Sequence, residues 1–230
     1  MAKPRAEAQP RSGRSPRLSR ERVIQAAVDL ADAEGIEALT MRSLARRVGA
    51  EAMSLYRHVR DKDDILDGII DQVYAEIPLP DPGTPWLPAM RERAVATRQV
   101  LLRHRWAVGL MESRRLPGPA NLRHHDAVVA ILTGAGFDAR STTHAYNLLD
   151  SYIYGFVLQE VSLPFASAEE LAEVGAEMLA GADADAYPHL ARVSSELLAA
   201  GFDYADEFEV GLDLVLDAIR AIAPAPGRAG

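Results

Sequence analysis

Three short helical patterns between residues 19 and 74, the last two parted only by the break Gly49-Ala50, constrain this chain more than any other feature. In the first, Ser19 is a favourable N-cap and Glu21 complements the helix dipole. Val23, Ala26, Ala27, Leu30 and Ala31 recur at helical spacing as its buried stripe. Gly35 supplies the stop, because a left-handed residue after the last turn costs glycine least. Thr40 caps the second helix, whose Leu44, Ala45 and Val48 turn inward while Arg42, Arg46 and Arg47 turn outward, and Gly49 ends it. The third covers 51–59, anchored by Leu55 and Val59 one turn apart. Two short helices joined by a tight glycine turn, the second basic and hydroxyl-bearing, have the shape of a helix-turn-helix that enters a DNA major groove.

A fourth helix opens at Asp61, with Asp64 three residues on as a capping-box variant and Ile65, Leu66, Ile69, Ile70 and Val73 as its stripe. The run Pro78, Pro80, Pro82, Gly83 and Pro85 cannot be helical and marks the clearest boundary. The expected division is a disordered basic arm at 1–18, a DNA-binding unit at 19–77, a larger unit at 78–223 and a short disordered tail at 224–230. The arm's Lys3, Arg5, Arg11, Arg14 and Arg17 are either solvated or extra phosphate contacts. Beyond residue 78 helical patterns continue over 87–103, 106–114, 120–135, 141–161, 168–180, 187–199 and 204–223, with Gly136 and Gly201 where C-terminal glycines belong. No strand alternation is present, so the fold class is all-α.

The net charge of −8 looks wrong for a nucleic-acid binder until it is divided. Residues 1–60 carry 12 Lys/Arg against 7 Asp/Glu, whereas the rest carry 13 against 26. Such asymmetry lets one end face phosphates while the other is repelled. With no cysteine, disulfides, thiolate metal sites and cysteine nucleophiles are excluded. No apolar run approaches the roughly 18–20 residues that span a bilayer, and no secretory signal is recognisable, so a cytoplasmic protein without membrane association is expected.

Two of the later helices are unusual. The 141–161 pattern is apolar on nearly every side, with Leu148, Leu149, Tyr152, Ile153, Phe156 and Val157 on one broad face and Tyr146, Tyr154 and Leu158 on another. In 204–223, Phe208, Leu212, Val215, Ile219 and Ile222 are spaced as a helix-pairing seam. One reading is half of a four-helix bundle completed by a second copy, its interface made by Leu149, Tyr152, Phe156, Phe208, Leu212, Val215 and Ile219. The other is an ordinary core within one chain.

The stretches Thr40-Met41-Arg42-Ser43-Leu44-Ala45 followed by Gly49, Ser54-Leu55-Tyr56-Arg57-His58-Val59, and Asp61-Lys62-Asp63-Asp64-Ile65-Leu66 resemble the tetracycline-repressor (TetR) family. The resemblance is strong over 19–74; beyond it rests on length, helix count and Gly155-Phe156-Val157-Leu158-Gln159-Glu160. It implies an N-terminal three-helix helix-turn-helix domain plus a larger C-terminal helical ligand-binding and dimerisation domain. It also implies a homodimer that binds a palindromic double-stranded DNA operator and leaves it when a small-molecule effector fills the larger domain.

Residue chemistry agrees. Ala52, Met53 and Ser54 are small or flexible enough for close groove approach, and Ser54 and Tyr56 offer hydroxyls to phosphate. Arg57 and His58 follow at the backbone edge, Lys62 and Thr40 stand at helix N-termini where phosphate is favoured, and Arg42 matches the family's base-reading arginine. The alternative for Tyr56 is a place in the small domain's core, and for His58 a structural hydrogen bond. Glu51 opposes phosphate and is expected to serve its own helix terminus.

On the effector side the candidates are the residues of mixed polarity on apolar helices: Met90, Met111, His125, Asn147, Asp150, Tyr154 and Gln159. Met111 and Gln159 align near the positions where tetracycline repressors hold a drug–magnesium chelate, which argues against that mode. In His124-His125-Asp126 adjacent helix positions point about 100° apart, so shared chelation is not expected. No metal and no cofactor are expected. Neither a nucleophile–base spacing nor a phosphate-cradling loop supports an enzyme. A helical partner-binding protein without DNA affinity and, last, a small helical enzyme are the alternatives to a ligand-responsive regulator, expected here to be a repressor.

Overall fold

The computed structural model describes residues 17–165, 167–181 and 185–224, and these are all helix, turn and loop. The basic arm up to residue 16 and the tail from 225 lie outside the described residues. In chain order the α-helices are α1 (Arg20–Glu34), α2 (Met41–Val48), α3 (Ala52–Leu55), α4 (Lys62–Glu76), α5 (Trp86–Arg103), α6 (Pro119–Gly134), α7 (Ala139–Ser162), α8 (Ala168–Gly181), α9 (Pro188–Ala199) and α10 (Glu207–Ala221).

Local chemistry accounts for the first four. Ser19 Oγ accepts the Arg22 amide at the start of α1. Thr40 and Ser43 form a reciprocal capping box on α2, Thr40 Oγ1 accepting the Ser43 amide at 3.0 Å and Ser43 Oγ the Thr40 amide at 2.9 Å. Gly49 takes φ 68°, a left-handed value that a side chain would strain, and lets Ala50 N–H reach back to Ala45 carbonyl at 2.9 Å. The α2–α3 turn is therefore short and fixed. Val23, Ala27, Leu30, Leu44, Leu55, Val59, Ile65 and Ile69 fill one core among α1–α4.

The expected third helix is too long: it ends at Leu55, and residues to Val59 continue as tight turns, with His58 N–H donating to Leu55 carbonyl at 2.8 Å. Asp64 is also not a capping box. Its carboxylate is taken by Arg20 of α1, at 2.9 Å from both guanidinium nitrogens, and by the Arg60 amide at 2.9 Å. Arg20 holds that carboxyl below its ordinary range. Asp61 alone caps α4, accepting the Asp64 amide at 2.8 Å.

The expected helix at 106–114 is instead a chain of turns, in which Ala107, Leu110 and Ser113 amides bond three residues back. Side-chain ties compete with a regular helix there, as Trp106 Nε1 donates to Asp32 at 2.6 Å and Arg105 to Val161 carbonyl at 2.9 Å. Gly136 and Gly201 end α6 and α9 with φ 91° and 71°, and Phe137 and Phe202 amides close Schellman bonds of 3.2 and 3.1 Å.

The interface expectation on α7 and α10 requires correction at four of its seven residues. Leu149, Phe208, Leu212 and Ile219 are buried within this one chain, together with Met90, Val128, Leu132 and Ile153. Tyr152, Phe156 and Val215 pack against that core, and Tyr152 donates to Phe208 carbonyl at 2.8 Å, an approach left open by Gly211. The apolar seam points inward because α7 and α10 pack side by side with α5, so Leu149, Phe208, Leu212 and Ile219 are taken up by this chain's own core while Tyr152, Phe156 and Val215 stay partly exposed. What α7 and α10 leave exposed is the opposite face: Leu148 and Leu158 on α7, Val210 and Leu214 on α10.

Candidate nucleic-acid interface and effector site

The expected DNA-facing residues occupy the tip made by α2, α3, the turns after α3 and the first residue of α4. Thr40, Arg42, Met53, Tyr56, Arg57 and Lys62 are exposed, and Ala52, Ser54 and His58 are half-buried. Met53 and Tyr56 are the large hydrophobic side chains among them that remain open, at 74% and 47% exposure, although apolar surface normally retreats from water. The side chains of Arg42, Arg46, Arg57 and Lys62 enter no ion pair among the described residues. Glu51 stands at the N-cap of α3 without a capping bond, contrary to expectation. The helix starts at α2 and α4 carry positive dipole ends, with the Ser43 and Asp64 amides capped by Thr40 and Asp61.

At the other end of α4 lies a buried polar centre. Arg93 of α5 is fully enclosed and donates to Asp150 of α7 at 2.6 Å. Its guanidinium lies 5.4 Å over the Tyr146 ring, and Tyr146 in turn stacks on His125 at 5.0 Å and hydrogen-bonds it. Tyr74 of α4 reaches in, with its hydroxyl 3.3 Å from that of Tyr154 and its ring 5.7 and 6.0 Å from His124 and His125. Burial raises the Tyr74 phenol to about 12, pushes Tyr146 higher still and holds Tyr154 well above its ordinary value, so all three remain hydroxyls. Burial, and then Asp150, raises Glu112 above its usual range. Arg93 Nε and Nη1, both His124 nitrogens, Thr142 Oγ1 and Asp150 Oδ2 are buried without a hydrogen-bond partner in the described structure. Such atoms are costly unless something satisfies them.

Of the expected effector residues, His125, Asp150 and Tyr154 meet at this centre. Met111 packs with Tyr74 and Val157 in the apolar core beside it, and Met90 is core between α5 and α10. Asn147 and Gln159 are corrections: both are exposed, because they fall on the outer face of α7, where Gln159 accepts from Tyr204 at 2.8 Å. The residues that sequence reasoning missed are Arg93 and Tyr74. Arg93 had a signal, since it sits in the α5 stripe Ala89, Met90, Ala94, Thr97, Val100 and Leu101, where an arginine has to be paired.

His124 supplies a pH prediction. Burial, with Arg93 and His125 nearby, pushes its imidazole down to about 3. An unfolded histidine titrates near 6.5, so between those values the unfolded chain binds a proton that the folded chain refuses. Stability from this residue is complete above pH 6.5 and is lost on acidification, by roughly 1.4 kcal/mol per pH unit. Denaturant titrations from pH 7 to 4 should show that slope, and His124→Phe should flatten it; an equal slope in both proteins would contradict the assignment.

α4 is held to the larger unit by three further ties. Arg114 donates to Asp67 at 2.7 Å and Asp63 at 3.1 Å, and Asp71 Oδ1 caps α6 through the Ala120 and Asn121 amides at 2.8 and 2.9 Å. Buried His104, at the end of α5, bridges Asp32 of α1 at 2.8 Å and Glu76 of α4 at 3.2 Å. Burial pulls the Glu76 carboxyl upward, but hydrogen bonds from Arg103 and His104 keep it below its ordinary range.

Comparison with known proteins decides what this arrangement belongs to. Residues 23–69 match the family described as bacterial regulatory proteins, tetR family, and residues 79–223 match the tetracyclin repressor-like C-terminal domain. The chain belongs to the TetR family of transcriptional regulators. An HTH-type transcriptional regulator of Saccharopolyspora erythraea is 35% identical over 209 residues, covering 90% of this chain and 87% of that protein. The HTH-type transcriptional repressor DrrR1 of Streptomyces coeruleorubidus is 31% identical over 224 residues, covering 93% and 81%. Among solved TetR-family structures, Streptomyces coelicolor ActR in complex with actinorhodin superposes with a TM-score of 0.77 at 26% identity, covering 94% of this chain and all of ActR. The all-α, two-part TetR architecture and the helix-turn-helix at its N-terminal end follow. No helix among the described residues is long and apolar enough to cross a membrane.

Proposed function

We propose that this TetR-family regulator is a cytoplasmic homodimeric repressor, bound to a palindromic operator and released when a small molecule enters the Arg93 centre. The boundary between a DNA-binding unit and an effector unit is placed near residue 78, with α4 shared between them. Thr40, Arg42, Ser54, Tyr56, Arg57 and Lys62 contact phosphate and base edges, Ala52 and Met53 allow close approach, and His58 borders the backbone.

The observation that supports the effector reading is the buried, unpartnered polar atoms of Arg93, Asp150 and His124, the last with its ring 5.7 Å from that of Tyr74 on α4. ActR, a relative by structure, is known with actinorhodin bound. Lys62 and Tyr74 are separated by about 18 Å along one helix at 1.5 Å per residue. A ligand seated between Tyr74 and Tyr154 displaces the far end of α4, and through Asp64–Arg20 and His104–Asp32 it carries α1 and the recognition tip with it. In a dimer the two α3 helices need to stand about 34–36 Å apart for successive major grooves, so a small rotation costs several contacts in each half-site.

Tyr56→Phe combined with Lys62→Ala tests the contact surface. Operator affinity should fall by about tenfold or more, and the slope of log affinity against log salt should shrink by about one for the lost lysine–phosphate contact. Unchanged affinity and slope in a fluorescence titration would remove these residues from the interface.

A further inference from the structure

One side chain of the DNA-facing tip also carries redox chemistry, an inference that rests on the DNA reading above. The chain has no cysteine, so its thioethers are the first sulfurs that an oxidant meets. Of its six methionines, Met1 lies outside the described residues. Met90 and Met111 are buried at 1% and 3% exposure, and Met41 is half-buried against the core of α1–α4. Among the described residues only Met53 and Met178 stand open, at 74% and 70%. Met178 lies on α8 in the larger unit, whereas Met53 lies on α3 among the DNA-facing residues. Oxidation follows exposure, so it falls on these two and spares the core.

The surroundings of Met53 favour an anionic oxidant. Arg42, Arg46, Arg57 and Lys62 enter no ion pair among the described residues, and such a cationic surface raises the local concentration of hypochlorite. The step balances: hypochlorite gives its oxygen to the sulfur, the thioether loses two electrons, and chlorine leaves as chloride. The buried residue of α3 is Leu55, not Met53, so the oxidised chain keeps its fold. What changes is the contact surface. A flexible apolar side chain suited to a thymine methyl or a sugar becomes a dipole ending in an oxygen that only accepts hydrogen bonds. The phosphate oxygens it approaches are acceptors as well. Arg57 or Lys62 satisfies that oxygen only by leaving phosphate, and otherwise it enters the groove stripped of water.

We propose that Met53 is an oxidation switch on operator binding: hypochlorite converts its thioether to the sulfoxide, and the oxidised tip releases DNA. The test treats the full chain with hypochlorite, maps oxidised peptides by mass spectrometry, and titrates a duplex selected from a random pool. Met53 and Met178 should oxidise ahead of Met90 and Met111, and bound duplex should slow the reaction at Met53 while leaving Met178 unchanged. The oxidised wild type should bind the duplex about tenfold or more weakly than the untreated chain, with its circular dichroism unchanged. A mixture of the two methionine sulfoxide reductases, one for each epimer, should restore binding and so assign the loss to sulfoxide. Met178→Leu should lose as much as the wild type. Met53→Leu, measured against its own untreated affinity, should lose nothing. Failure of Met53 to oxidise, full affinity after it does, an equal loss in treated Met53→Leu, or a loss that the reductases leave in place overturns the proposal. Absence of duplex binding by the untreated chain removes the DNA reading itself, and is thereby told apart from a failure at Met53.

Discussion

Leu214→Asp is expected to split the dimer and to lower operator affinity by about 10²–10⁴, because each half-site then binds without the effective concentration supplied by its tethered neighbour. α7 and α10 pack side by side, yet Leu214 is 69% and Val210 54% exposed, one turn apart on the outer face of α10. Leu148 lies on the outer face of α7, where Gly155 leaves room for close helix approach. A second copy packing there completes a four-helix bundle and removes these leucines and valine from water. A carboxylate in that seam opposes burial without disturbing the isolated chain, so helical content should be retained while sedimentation reports a monomer. Phe208→Ala provides the contrast. That ring is wholly buried in the chain's own core, so its loss should cost about 3–5 kcal/mol of folding stability rather than act on assembly alone. If Leu214→Asp remains a dimer, the outer face of α7 and α10 is not the interface.

Asp150→Leu alone should destabilise the fold by about 3–5 kcal/mol, the second large effect, because it strands the Arg93 charge in a fully enclosed site. The double variant Arg93→Met/Asp150→Leu should recover most of that loss, since paired apolar replacements avoid the desolvation of both ions. Burial acts to lower the Arg93 pKa, yet Asp150 and the surrounding phenols leave it raised, so the guanidinium is charged in the wild type. Chemical denaturation of the wild type, the single and the double variant separates the cases. Equal stability of the single and double variants would mean that the pair is not coupled.

The N-terminal third is legible in its sequence because its signals are local. Ser19, Thr40 and Asp61 cap through their own side chains, and Gly49 breaks the chain within a turn. The end of α3 is not legible, since Leu55 and Val59 are both buried whether the residues between them are helix or turns. For α10, the spacing of Phe208, Leu212, Val215 and Ile219 identifies an apolar stripe but not its partner, and the same stripe serves a bundle between chains or a core within one. The polar centre depends on residues from α4, α5, α6 and α7 whose convergence no single stretch announces. Arg93 in the apolar stripe of α5 is its clearest trace. The ties along α4 are similar: Asp63, Asp67 and Asp71 recur at four-residue spacing, but their partners, Arg114 and the start of α6, lie about 50 residues away in the chain.

Selection of bound duplexes from a random pool at moderate salt tests the central claim most directly, that residues 40–62 form the sequence-reading tip of a dimeric regulator. The expected result is an inverted repeat whose half-site centres lie about 10 base pairs apart, or somewhat more on bent or underwound DNA. The Tyr56→Phe/Lys62→Ala variant should retain that repeat weakly. Enrichment of no sequence, or full binding of the selected repeat by the variant, would contradict the account.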